Sequence, residues 1–183
     1  MKIKMILALG PEYMIGHNGK LPWHSKEELN HFKIQTVNKP VIFGKNTFFN
    51  LPKYPLKNRL NIVLSHYIPA DYVIKDGYIQ TVSLEKALEA CKAYDECFIC
   101  GGLNLYLQAF EKNICDEIIL TLIESKKLRE DYFKNSDEYV TFNEITDLLA
   151  KNYKFESEII YEKCSSLKEE NDLDIHYYEY IRK

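Results

Sequence analysis

No apolar run in this 183-residue chain approaches the ~20 residues that a membrane-crossing helix requires. There is no surplus of positive charge either. The 24 basic and 27 acidic residues leave a formal charge of −3, which argues against a dedicated nucleic-acid binder. A few local cations still suffice for an anionic small ligand. The five cysteines (Cys91, Cys97, Cys100, Cys115 and Cys164) are odd in number and irregularly spaced, which speaks against a disulfide framework. Cys97-Phe98-Ile99-Cys100 has the C-x-x-C spacing, but it lies in an apolar run that reads as a strand, where side chains three apart face opposite ways. No second pair completes a zinc site, and the five histidines show no H-x-x-x-H pairing, so no metal is expected. Reduced cysteines fit a cytoplasmic protein. There is no repeat, low-complexity tract or interdomain linker. Neither G-x-G-x-x-G nor G-x-x-x-x-G-K-[ST] occurs, so the Rossmann fingerprint and the P-loop are both missing.

What is present describes one globular domain over residues 1–183, with 46% hydrophobic and 13% aromatic residues. Residues 2–9 read as a buried strand; Lys4 interrupts the alternative reading, a signal peptide. Residues 10–24 read as loop, punctuated by Gly10-Pro11, Gly16, Gly19 and Pro22. Ser25-Lys26-Glu27-Glu28 has the capping-box pattern and opens a helix to about Val37. Strands follow at 41–43, 60–65, 72–74, 78–82, 97–100 and 116–124, with helices from Ser83 to about Ala93 and over 103–111. The charged stretch 125–138 reads as loop. Residues 153–163 and 173–182 read as an antiparallel pair joined by 164–172. Alternating strands and helices closed by two strands predict an α/β sandwich with a mostly parallel sheet and an antiparallel C-terminal edge strand. Ligands of such sheets sit at the carboxyl ends of strands.

Three segments draw attention there. The stretch from Ile15 to Trp23 carries two glycines and the only tryptophan, and reads as a lid over a ligand. Gly44-Lys45-Asn46-Thr47 and Gly101-Gly102 each lie between a strand and a helix, where bare backbone amides suit phosphate; either could also be a plain tight turn. Two such turns favour a ligand with several phosphates. Glu28 has two readings. It could serve only as the third residue of the capping box, or it could be a carboxylate beside apolar groups, with Leu29 adjacent and Phe32 one turn on, that binds an amidine-like cation.

Together these residues carry a resemblance. The chain resembles dihydrofolate reductases, in order and without large gaps. The matching pieces are Ile15-Gly16 through Leu21-Pro22-Trp23, Glu28-Leu29, Phe32-Lys33, Asn38 through Phe48, Pro55 through Ser65, Ile99 through Gly102 with Tyr106, and Ile119-Leu120-Thr121. The resemblance implies a three-layer sandwich with an eight-stranded sheet and about four flanking helices. It implies transfer of hydride from NADPH to C6 of dihydrofolate, with a proton at N5, by a monomer needing neither nucleic acid nor membrane.

It also implies roles. Glu28 would hold the pterin's 2-amino group and N3, Thr121 would hydrogen-bond Glu28, and Trp23 would hold a water nearby. Leu21 and its loop would close over the nicotinamide, with Tyr106 close to it. Ile6, Ala8, Leu29, Phe32, Leu51, Leu56 and Cys100 would line the substrate pocket, and Arg59 would grip the α-carboxylate. The cofactor would be held by Ala8, Ile15, Gly16, Gly19, Lys20 and Leu21. It would also meet Gly44, Lys45, Asn46, Thr47, Leu64, Ser65 and His66, with Lys45 at the 2′-phosphate. Cys100, Gly101, Gly102, Leu103, Asn104, Leu105 and Tyr106 complete that set, and Gly101-Gly102 matches a peptide that is cis in the family. The chain departs from the common pattern at Lys45, Leu103, Asn104 and Cys100, and over residues 51–54, which lack the usual Gly-Arg before Pro-Leu. Two other readings compete: a pyrimidine reductase of riboflavin synthesis, and a non-catalytic folate or nucleotide binder.

Overall fold

The structure, a computed structural model, describes residues 1–165 and 172–183. In chain order it contains β1 (Lys2–Leu9), a 3-10 turn (Pro11–Tyr13), β2 (Met14–His17), α1 (Lys26–Thr36), β3 (Pro40–Gly44) and α2 (Lys45–Phe49). Next come β4 (Leu60–Leu64), β5 (Tyr72–Lys75), β6 (Tyr78–Thr81), α3 (Leu84–Ala90), β7 (Glu96–Ile99) and α4 (Leu103–Glu111). The rest is β8 (Glu117–Glu124), α5 (Lys126–Lys134), a second 3-10 turn (Ser136–Glu138), β9 (Tyr139–Thr141), α6 (Ile145–Asn152), β10 (Tyr153–Ser165) and β11 (Asp172–Arg182). No helix among the described residues is long and apolar enough to cross a membrane.

These elements pack into two units. The first comprises Met1–Ile6 and Ile34–Asp116. Its strands run in the order β1-β7-β3-β4-β6-β5, all pairs parallel except the β5–β6 hairpin. Parallel strands need crossover connections, and α2, α3 and α4 lie in the connecting segments. Such strands are covered on both faces, which accounts for the unbroken apolar runs Val41-Ile42-Phe43, Ile62-Val63-Leu64 and Cys97-Phe98-Ile99, all buried. Ser83 caps α3 by accepting from the Lys86 N–H at 3.2 Å. Phe48 of α2 is fully buried, with ring centroids 6.0 Å from Phe43, 5.3 Å from Phe49 and Tyr54, and 5.1 Å from Tyr78.

The second unit comprises Leu7–Lys33 and Glu117–Lys183. Here β10, β11 and β8 form an antiparallel run, and β2 pairs antiparallel with β9. Opposed residues share a face, so the pairs Thr121↔Tyr177 and Ile123↔Ile175 present one surface. Leu173, two residues before Ile175 on β11, extends it, and Met14 and Trp23 pack there with Ala8, Leu128, Tyr132 and Tyr139 alongside.

Several expectations need correction. The stretch 125–138 is not a loop: it forms α5, capped by Ser125, whose Oγ accepts from Leu128 N–H at 3.3 Å. Its charges are the solvent side of a helix whose Leu128 and Tyr132 pack on the unit's core, a pattern of only two apolar residues that periodicity misses. Residues 10–24 are not all loop, because β2 finds its partner β9 some 120 residues away, which no local signal announces. With α6 and the short α2 there are six α-helices among the described residues rather than about four. Among the described residues nine strands, rather than eight, form the two main runs, because β5 adds an antiparallel edge to β6. The linker expected over 164–172 lies mostly outside the described residues. Cys91, Cys97, Cys100 and Cys115 are buried free thiols, and Cys100 lies just past the end of β7. Truncation of Phe48 to Ala is expected to lower stability by about 3–5 kcal/mol, read as a reduced denaturant midpoint in equilibrium unfolding.

Candidate active site

The expected site residues fall in both units. In the second, the lid segment is more structured than a loop. Gly16 and His17 pair with Val140 and Tyr139. His17 and Lys20 then exchange backbone hydrogen bonds of 2.8 and 3.0 Å around Asn18 (φ 48°) and Gly19 (φ 75°). Two consecutive left-handed residues are what an Asn-Gly hairpin turn supplies. The His17 ring stacks on Tyr139 at 4.5 Å, and its Nε2 lies 2.9 Å from Glu138 Oε2. Ile15 and Gly16 are half-buried, while Gly19, Lys20 and Leu21 are exposed. Two residues on, Trp23 is buried in the Met14–Tyr177 cluster.

Ser25 then caps α1. Its Oγ accepts from the Glu28 N–H at 3.1 Å, and its hydroxyl donates to Glu27 Oε2 at 3.0 Å. The residue that engages the capping hydroxyl is thus Glu27, which leaves the Glu28 carboxyl out of the cap. Glu28 is only 8% exposed, and burial alone pushes its pKa from 4.5 up to about 7. Phe32 and Ala8 are half-buried, and Leu29 is exposed. Thr121 is fully buried on β8.

Sequence reading passed over His31. It stands one turn beyond Glu28 on α1, with its ring centroid 4.0 Å from that of Tyr177. His31 Nε2 and Trp23 Nε1 are the two buried side-chain polar atoms without a partner among the described residues. The i, i+3 spacing from Glu28 is the signal that could have raised it.

In the first unit, two strand-to-helix turns lie side by side. Gly44 N–H donates to Gly101 O at 2.6 Å, and Cys100 N–H to Ile42 O at 2.8 Å. The Gly101-Gly102 peptide is cis. A Cβ on Gly102 would lie 2.7 Å from Thr47 Oγ1, and one on Gly101 (φ +99°) would lie 2.8 Å from Tyr106 Oη. Only bare backbone fits there, and it leaves the starts of α2 and α4 open to close approach. Tyr106 is pinned from behind, its hydroxyl donating to Ile6 O at 2.8 Å; Leu105 is buried beside it.

Lys45 and Asn46 are exposed at the start of α2, as are Asn104 on α4 and His66 past β4; Thr47 and Leu103 are half-buried. Leu64 and Ser65 are buried, with Ser65 N–H donating to Thr81 O at 2.8 Å. Burial pushes the Cys100 thiol up, so it is neutral. Leu51 and Leu56 are half-buried. Arg59 is aimed by its own hydrogen bonds, Nε donating to Thr36 Oγ1 at 2.9 Å and Nη1 to Lys57 O at 3.0 Å. Behind it, the buried Asn61 amide donates to Leu56 O and Arg59 O and accepts from Leu56 N–H, which fixes that loop on β4. No group of three or more His, Cys, Asp and Glu among the described residues could hold a metal.

The Glu28 environment leaves a signature in stability. In the unfolded chain its carboxyl returns to 4.5, so between there and about 7 only the folded protein holds that proton. Stability therefore falls as pH rises through this window and levels off above it, by roughly 3 kcal/mol in all. Glu28→Gln is expected to flatten that slope and to raise the urea midpoint at about pH 8, measured by unfolding curves across the pH range.

Comparison with known proteins agrees with this geometry. The sequence model of dihydrofolate reductase matches residues 2–164. Dihydrofolate reductase of Bacillus subtilis is 31% identical over 170 residues, covering 91% of this chain and 97% of that enzyme. The Neisseria gonorrhoeae enzyme is 41% identical over 109 residues, 60% of this chain, and the match spans 65% of that relative's length. Among solved structures, dihydrofolate reductase from Enterococcus faecalis, complexed with NADP(H), superposes with a TM-score of 0.75. It covers 100% of this chain and 96% of that one at 23% identity, which establishes the fold. The chain belongs to the dihydrofolate reductase family.

Proposed function

We propose that this chain catalyses the NADPH-dependent reduction of 7,8-dihydrofolate to 5,6,7,8-tetrahydrofolate for one-carbon metabolism. In this reading it acts as a monomeric single domain in the cytoplasm. The observation that carries the reading is Glu28, a buried carboxyl that burial lifts to about 7. A group of that proton affinity, buried on the first turn of α1, suits the amidine-like edge of a pterin. As a carboxylate it takes the 2-amino and N3 hydrogens, and the negative charge then favours a proton at N5. The family match over residues 2–164 supports the same assignment.

The residues also fit the cofactor. The Gly44 and Gly101-Gly102 turns are a cradle that a Cβ at Gly102 would fill. Their amides would take the pyrophosphate, while Lys45, exposed at the first position of α2, would meet the 2′-phosphate with Ser65 and His66, which follow the strand end where Leu64 pairs with Gly44. NADP(H) is present in the E. faecalis relative. When bound, NADPH supplies the hydride for C6. Trp23, with a buried and unpartnered Nε1, would hold a water beside the pterin, and Thr121 would position the ring. Leu21, exposed on the hairpin loop, would exclude water on closing. Tyr106 would face the nicotinamide from its anchored hydroxyl. Ile6, Ala8, Leu29, Phe32, Leu51, Leu56 and Cys100 would contact the substrate.

Purified protein is expected to show an NADPH loss that requires dihydrofolate and fails with an aminopyrimidinone of riboflavin synthesis; the opposite preference overturns the reading. Tight folate binding without turnover overturns it as well. Glu28→Gln should lower turnover about 10²-fold or more at neutral pH and less at low pH, where substrate arrives protonated. An equal loss at every pH removes Glu28 from that role. Arg59→Lys should raise KM for dihydrofolate roughly ten-fold or more with little change in kcat, because lysine lacks the planar fork that grips a carboxylate in two places.

A further inference from the structure

We propose that His31 is a positioning residue for Glu28: the two form a coupled titrating pair on one face of α1, with the imidazole held against Tyr177 and able to receive the proton that Glu28 releases. The proposal deepens the reading of Glu28 as the pterin-binding carboxyl and rests on it.

Three geometric observations carry it. Glu28 and His31 are three residues apart within α1 (Lys26–Thr36), so their side chains neighbour one another along the helix. The His31 ring lies 4.0 Å from Tyr177, centroid to centroid, and Tyr177 is directly opposite Thr121, which orients α1 toward the strand pair bearing the expected pterin residue. Finally, His31 Nε2 is buried without a hydrogen-bond partner, which is costly for a group able both to donate and to accept. A buried, unpartnered ring nitrogen one turn from a buried carboxyl is an arrangement that packing alone does not require.

Among the described residues, charged and titratable groups face His31 from its own helix and from β11. Glu27 and Glu28 are on its own helix, at four and three residues' distance. Glu27 accepts from the Ser25 hydroxyl. From β11 come Tyr177 and Glu179; the latter raises the proton affinity of His31, while burial lowers it by more. Glu179 accepts from Ser157 Oγ at 3.0 Å. The β8 residues opposite them, Thr121 and Ile119, carry no charge. When both groups hold their higher-pH forms, the Glu28 charge draws a proton to His31. The state with ionised Glu28 beside protonated His31 thereby competes with the neutral pair and lowers the pH at which Glu28 ionises.

The test follows the Glu28 carboxyl by carbon NMR in glutamate-labelled protein, assigned by its loss in Glu28→Gln, with the pH profile of kcat/KM alongside. His31→Phe keeps a ring on Tyr177; His31→Gln keeps a polar group. Neither can be charged. Both variants should move the Glu28 midpoint upward by about half a pH unit or more and reduce a two-step curve to one step. Unchanged curves in the folded variants overturn the proposal. In the unsubstituted protein, the His31 ring nitrogens should show an inflection at the Glu28 midpoint, and a flat response there overturns it without any variant. Because the NMR readouts need no substrate, they are independent of turnover. A protein that passes them yet reduces no dihydrofolate would sink the proposed function and leave the pair intact.

Discussion

Keeping one carboxyl out of water is the constraint around which the second unit is arranged. Glu28 is held under the first turn of α1, and burial moves its proton affinity to neutrality. The local structure makes this possible. Ser25 caps the helix through backbone and hydroxyl, and Glu27 answers the hydroxyl, so the Glu28 side chain is left over. The His31–Tyr177 contact and the core containing Trp23 then hold that part of the chain in place. A carboxyl so placed opposes folding above its titration range, a local cost of the kind retained where chemistry requires it.

The first unit solves a different problem, bringing two helix starts into register. Parallel pairing of β3 and β7 places the ends of both strands together, and the Gly44–Gly101 hydrogen bond ties the following turns. Close approach then leaves no room for a side chain at Gly102, which faces Thr47, or at Gly101, which faces Tyr106. Charge is supplied separately by exposed groups such as Lys45, and by Arg59, whose side chain is aimed by Thr36 and a loop that Asn61 fastens to β4. The division suits a long anionic ligand: backbone for phosphate oxygens, side chains for its ends.

Much of this was readable before any coordinates. Strand β1, helix α1 with its Ser25 cap, and helix α4 come out within a residue or two of the bounds read from periodicity and capping signals. These elements combine a strong local pattern with a strong boundary signal. What escaped had neither. The apolar side of α5 consists of Leu128 and Tyr132 in a run of charges, and β2 is defined by a partner far along the chain. His31 escaped for another reason: as a residue type it is unremarkable, and only its buried ring nitrogen and its place on Tyr177 give it meaning.

The amino-acid sequence by itself determined the α/β class, the two glycine turns, the capped helix that carries Glu28, and the family. All of these rest on short-range patterns whose physics acts within a few residues. Tertiary structure alone decided that Glu28 rather than Glu27 is the buried carboxyl, because capping chemistry permits either. It also decided that the lid segment is a hairpin braced by β9 and that His31 lies against Tyr177. Burial and ring contacts depend on which distant strands arrive at the same place, and so does the proton affinity of a carboxyl, since it is set by the water that those strands exclude.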